Sequence, residues 1–138
     1  MNDVRTLIIG AGISGLSMAR WCLREGAQQL SVVDTRESAC VAARQAVSGL
    51  VVRHAPLDQA LMDELQPQAV WVSPGLSPST LAEVTHWCEA HAVEVGNEVD
   101  LFAAGLQAHS SDAQPMPRVL AITGTNGKTT VTALTTHL

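Results

Sequence analysis

Several things are scarce in this 138-residue chain, and each scarcity narrows what it can be. Positive charge is one: Lys and Arg number 8 against 13 Asp and Glu, giving a net charge of −5 with no basic run. That argues against a nucleic-acid or anionic-membrane partner, so any phosphate must be bound locally. Cysteine is another. Cys22, Cys40 and Cys88 form an odd set without C-x-x-C spacing, which fits reduced thiols in a cytoplasmic protein rather than a disulfide or metal cluster. His54, His86, His91, His109 and His137 show no metal-ligand spacing and receive no role. The N-terminus lacks a positive n-region and a convincing cleavage site, and no apolar run approaches the ~18 residues of a membrane span. There is no Tyr and one Phe, so the apolar content rests on Ala, Val and Leu, as suits helices layered on a parallel sheet. Trp21, Trp71 and Trp87 sit in helix or strand patterns and are expected in the core.

What the chain does have begins at Thr6. Thr-Leu-Ile-Ile-Gly-Ala-Gly-Ile-Ser-Gly places an apolar run ahead of Gly10, Gly12 and Gly15 in G-x-G-x-x-G spacing. Leu7, Ile8 and Ile9 read as a strand buried on both faces, and Ser14 to Arg24 as a helix. Gly10 permits the tight turn, Gly12 lets a ligand approach the backbone, and Gly15 lets the helix pack close to its strand. The helix N-terminus thus faces an anion, and a diphosphate is its natural guest. Asp34 follows nineteen positions after Gly15, behind the apolar segment Leu30 to Val33, near the offset at which an acid follows this fingerprint.

The alternation continues. A helix is predicted over Ser38 to Ser48, a strand over Leu50 to Arg53, and a helix over Leu57 to Leu65, where Leu57, Leu61 and Leu65 form one stripe. Ala69 to Val72 is a strand running into Ser73-Pro74-Gly75. Ser79 or Thr80 is expected to cap a helix reaching His91, with Leu81, Val84, Trp87 and Cys88 inward. A fifth strand follows at Val93 to Val95. Gly96-Asn97 then turns into a short helix from Glu98 to Ala104, with Val99, Leu101 and Phe102 docking on the sheet. This pattern predicts an α/β fold, a Rossmann-like doubly wound parallel sheet over residues 1–106. Gln107 to Pro117, rich in Ser and Pro, reads as a linker.

Residues 118–138 read as the start of a P-loop ATPase domain. Val119 to Ile122 is an expected strand, and Thr-Gly-Thr-Asn-Gly-Lys-Thr-Thr from Thr123 to Thr130 is a second phosphate loop. It is shorter than G-x-x-x-x-G-K-[ST], with Ile122 where the first glycine would stand. Backbone N–H groups from Thr125 to Lys128 can cradle phosphates, Lys128 can reach the β and γ groups, and Thr129 can ligate Mg²⁺. One strand and a partial helix cannot form a core, so the chain reads as one complete domain, a linker and the opening of a truncated second domain.

Ile122 to Thr130 closely resembles the ATP loop of the Mur ligases, which build the peptidoglycan stem peptide. The resemblance extends back through the Gly-x-Gly-x-x-Gly loop from Gly10 to Gly15, Asp34-Thr35-Arg36, Ser73-Pro74-Gly75, and Gly96-Asn97-Glu98 with Leu101-Phe102. Those four spaced motifs look like the branch that adds D-glutamate to UDP-N-acetylmuramoyl-L-alanine. The resemblance implies that the first domain holds UDP rather than a nicotinamide. Gly12, Ile13, Ser14 and Gly15 would face the diphosphate; Asp34, Thr35 and Arg36 would hold the uracil; Ser73 and Gly75 would line the same crevice. A carboxylate can accept from uracil N3–H, the Thr35 N–H can donate to a ring carbonyl, and the Arg36 guanidinium can stack on the base. Gly124, Thr125, Asn126, Gly127, Lys128, Thr129 and Thr130 would hold the ATP phosphates. Lys128 would be catalytic and Thr129 the Mg²⁺ ligand, in a reaction through an acyl phosphate. ATP and Mg²⁺ are thus cofactors of the whole enzyme, with none required by this chain alone, which is expected to be inactive and monomeric. Other readings are another Mur ligase such as the alanine-adding one, an NAD-dependent oxidoreductase, or a non-catalytic nucleotide sensor.

Overall fold

The computed structural model describes residues 3–110 and 117–137, in two compact units, Met1–Gly105 and Leu106–Leu138. The first unit carries five parallel strands, β1 (Thr6–Ile9), β2 (Leu30–Asp34), β3 (Val51–His54), β4 (Ala69–Val72) and β5 (Val95–Asn97). Their order is β3-β2-β1-β4-β5. Parallel neighbours need crossovers, and these are α1 (Ile13–Arg24), α2 (Glu37–Ala46), α3 (Gln59–Leu65) and α4 (Ala82–Ala90). A further helix, α5 (Glu98–Ala108), follows β5. The expected Rossmann-like doubly wound sheet is therefore observed.

The central strand explains the layering. Because side chains alternate along a strand, Ile8 joins one cluster with Met18, Ala19 and Cys22 of α1, Cys40 and Ala43 of α2, and Leu101 of α5. Leu7 and Ile9 point the other way, into a cluster with Leu61 and Met62 of α3 and Val84, Trp87 and Cys88 of α4. Trp21 and Trp71 pack at the margin of the first cluster. All three cysteines are buried and free.

The fifth strand starts two residues later than expected. Helix α4 ends in a Schellman-type closure in which Val93 N–H donates to the Cys88 carbonyl and Ala92 N–H to that of Glu89, with Ala92 at φ 54°. The chain frees itself for pairing only at Val95, which lies opposite Val70, with Asn97 opposite Val72. At the other end of α4 neither Ser79 nor Thr80 caps the helix: its N-cap is Leu81, without a side-chain hydrogen bond, and Ser77 Oγ accepts from Thr80 N–H at 3.2 Å in the turn before it.

Helix α5 runs to Ala108 rather than Ala104, and so takes the first residues assigned to the linker. Asn97 starts it. Its Oδ1 accepts from the Val99 and Asp100 N–H groups, and Asp100 Oδ2 accepts from Asn97 N–H at 2.9 Å. This reciprocal capping box orients the helix so that Leu101 alone of the three expected residues is buried; Val99 and Phe102 are exposed. Residues 111–116 of the expected linker lie outside the described residues.

The second unit corrects a prediction outright. Val119 to Ile122 is not a strand, and Val119 and Leu120 are exposed. A strand exists only by pairing, and among the described residues this segment pairs with none. The phosphate loop leads instead straight into α6 (Lys128–Thr135).

Candidate functional site

The sheet changes winding direction at β1. From there the chain goes to β2 and β3 on one side and reaches β4 and β5 on the other, so loops leaving β1 and β4 diverge and open a crevice at their carboxyl ends. Two bonds carry the ladder past the strands to set its floor. Gly10 N–H donates to the Val33 carbonyl at 2.7 Å, and Ser73 N–H to that of Ile9 at 2.8 Å. The crevice, about 580 Å³, is lined by Gly10, Gly12, Ile13, Ser14, Thr35, Arg36, Ser73, Pro74, Gly75, Leu76 and Thr80, a size suited to a small-molecule ligand.

The three glycines act differently. Gly10 has φ +99°, and a Cβ there would meet Ser73 Cβ at 2.7 Å. Gly15 lies inside α1, where a Cβ would stand 1.8 Å from the Gly10 carbonyl oxygen. Gly12 has nothing within 4 Å of an added Cβ; its space is open toward the crevice. The first α1 hydrogen bond is Leu16 N–H to the Gly12 carbonyl, so the N–H groups of Ile13 and Ser14 precede the intrahelical ladder. They meet the crevice where the positive end of the helix dipole lies.

Asp34 turns inward. It is 4% exposed. Its Oδ2 accepts from Ala11 N–H and Arg36 Nη2, both at 2.8 Å. Its Oδ1 accepts from Arg36 N–H at 2.8 Å and Arg36 Nε at 3.0 Å. Four donors occupy the roughly four lone-pair sites of a carboxylate. Burial by itself pushes the Asp34 carboxyl up, but the Arg36 side chain and the Ala11 and Arg36 N–H groups outweigh it and hold it at about 2. The same pairing raises Arg36, whose side chain remains 65% exposed. Asp34 thus ties the glycine loop to Arg36, while Arg36 and Thr35 line the crevice.

Ser73 also faces inward, its Oγ donating to the Gly10 carbonyl at 3.2 Å. Of the residues expected around UDP, the structure brings Gly12, Ile13, Ser14, Thr35, Arg36, Ser73 and Gly75 to the crevice wall, whereas Gly15 and Asp34 stand behind it. Leu76 and Thr80 are wall residues that no motif singled out; only the path of the loop after β4 carries them there.

In the second unit Gly124, Thr125, Asn126 and Gly127 form an exposed loop, with Gly124 at φ +150° and Gly127 at φ +77°. Gly127 caps α6. The first helical bond is Val131 N–H to the Gly127 carbonyl, so the Lys128, Thr129 and Thr130 N–H groups are open. Lys128 Nζ folds back to donate to the Gly124 carbonyl. A loop of this shape with a lysine is suited to phosphate. Among the described residues no cluster of His, Cys, Asp and Glu could hold a metal ion, and no helix is long and apolar enough to cross a membrane.

A parallel sheet with a glycine loop and a helix N-terminus at its switch point defines a Rossmann-like α/β domain. Residues 4–96 match the family described as Mur ligase MurD-like, N-terminal domain, and the chain belongs to that family. It is 40% identical over 137 residues to UDP-N-acetylmuramoylalanine--D-glutamate ligase of Albidiferax ferrireducens, covering 98% of this chain and 27% of that protein. It is 43% identical over 132 residues to the ligase of that name from Ralstonia nicotianae, covering 93% and 26%. The chain therefore spans about a quarter of the length of these relatives. Among solved structures, it resembles the Bordetella bronchiseptica enzyme WbmG in complex with NAD and UDP, with TM-score 0.51 and 23% identity over 68% of this chain and 37% of that one. That likeness is one of fold.

Proposed function

We propose that this chain is the UDP-binding part of an ATP-dependent ligase that joins D-glutamate to UDP-N-acetylmuramoyl-L-alanine. Its relatives bear the name of that ligase. The observation that carries the reading is the convergence of the Ile13 and Ser14 N–H groups with the Arg36 guanidinium on one crevice. The helix terminus receives the diphosphate and Arg36 stacks on the uracil. Thr35 N–H donates to a ring carbonyl, and Ser73 and Gly75 shape the wall.

Asp34 takes a supporting part in this account. With its oxygens occupied by Ala11 and Arg36, it positions the base-stacking arginine instead of meeting the base. The same occupancy weighs against a dinucleotide, whose ribose 2′-hydroxyl would need that carboxylate free.

In the whole enzyme, Gly124 to Thr130 hold the ATP phosphates. Lys128 would stabilise charge on the γ-phosphoryl group as it passes from ATP to the alanyl carboxylate with ADP leaving, and Thr129 would be a ligand for Mg²⁺. Bound ATP and Mg²⁺ supply the activating phosphoryl group and its charge neutralisation. The enzyme works as a cytoplasmic monomer.

The test is a titration of this chain with UDP and with NAD⁺, followed by amide NMR. UDP should shift Gly10 to Gly15 and Thr35 to Arg36, and Arg36→Ala should weaken it. Shifts with NAD⁺ and none with UDP would overturn the proposal.

A further inference from the structure

His54 stands at the carboxyl end of β3, opposite Asp34 in the parallel ladder. Its ring reaches across to the loop after β2, with Nε2 3.1 Å from the Thr35 carbonyl oxygen. A carbonyl oxygen can only accept, so this nitrogen carries the proton. One residue further on, Ala55 N–H donates to the Asp34 carbonyl at 3.3 Å. The backbone of Asp34 and Thr35 is therefore held from the β3 side by two donors, while the Asp34 carboxylate is held from the glycine-loop side by Ala11. Thr35 and Arg36 line the crevice and His54 does not. It is an exposed side chain whose one described contact is with a wall residue.

We infer that His54 is a positioning residue for nucleobase recognition: its Nε2–H holds the Thr35 peptide so that Thr35 and Arg36 present their polar groups to the base. This rests on the reading of the crevice as a UDP site and adds to it a residue outside that site. Two halves of the ligand then depend on different parts of the protein. The diphosphate meets α1, which His54 does not touch. The base meets the segment that His54 holds.

The measurement is calorimetric titration of this chain, wild type, His54→Ala and His54→Gln, with UDP and separately with inorganic pyrophosphate. A glutamine amide nitrogen falls near the position of Nε2 and can donate in its place. His54→Ala should weaken UDP by about three- to tenfold, the range expected for one hydrogen bond, with pyrophosphate affinity unchanged, and His54→Gln should recover most of the loss. Equal UDP affinity in wild type and His54→Ala overturns the inference and leaves the UDP site standing. So does a loss shared by UDP and pyrophosphate, or one that glutamine does not relieve. Wild-type protein that binds no UDP removes the site reading itself, and the inference with it. The His54→Ala amide spectrum should be displaced chiefly at Thr35 and Arg36; a spectrum displaced throughout the sheet would mark a general structural effect and count against a positioning role.

Discussion

Gly15 and the Gly10 carbonyl are in such close contact that a single added carbon on Gly15 would lie 1.8 Å from that oxygen and 2.9 Å from Ser73 Oγ. The obstruction is backbone at the end of a central strand and cannot turn aside. Gly15→Ala should therefore cost about 2–4 kcal/mol of stability, read from urea unfolding. Unchanged stability would mean that α1 can slide on its strand.

Gly12→Ala makes the complementary case. The added methyl meets nothing within 4 Å and the residue already has φ −79°. Stability should change by less than about 1 kcal/mol, while UDP affinity falls because the methyl stands where the diphosphate approaches. A variant that binds UDP as wild type does would show that the ligand keeps its distance from this loop.

The Asp34 carboxyl titrates at about 2 in the fold against an ordinary 3.8. A folded value below the unfolded one means stability that is fully present above pH ~4 and lost as pH falls toward 2, by at most about 2 kcal/mol. Urea unfolding between pH 5 and pH 2 should show this limb in wild type and a flatter one in Asp34→Asn. Superimposable limbs would place the acid sensitivity elsewhere.

Asn97 and Asp100 satisfy each other's backbone at the start of α5. Asn97→Ala should lower stability by about 1 kcal/mol. No loss on denaturant unfolding would indicate that water replaces the cap at no cost.

All three thiols are buried, and burial pushes Cys22 up to about 11. Thiolate is the reactive form, so a chromogenic disulfide reagent should titrate none of them rapidly in the folded chain and three in denaturant. Fast reaction of one thiol in native buffer would reveal a local opening around it.

Much of this was legible in the chain as written. Short apolar runs and helical apolar stripes are local properties, and they announced five strands with intervening helices, while motif spacing announced a glycine loop at the first turn and an acid at the end of the second strand. The glycine spacing also foretold the close packing of Gly15, since that requirement is steric and belongs to the motif. What tertiary structure decided was partnership. Ser73 meets Gly10 across 63 residues only because β4 lies beside β1, and His54 meets Thr35 only because β3 lies beside β2. The direction in which Asp34 points followed from the same assembly, which brings Ala11 N–H to its Oδ2, whereas the Arg36 contacts are local. Val119 to Ile122 marks the boundary from the other side: apolar β-branched residues announce a strand, but a strand is completed by hydrogen bonds from a neighbour, and no local pattern can supply one.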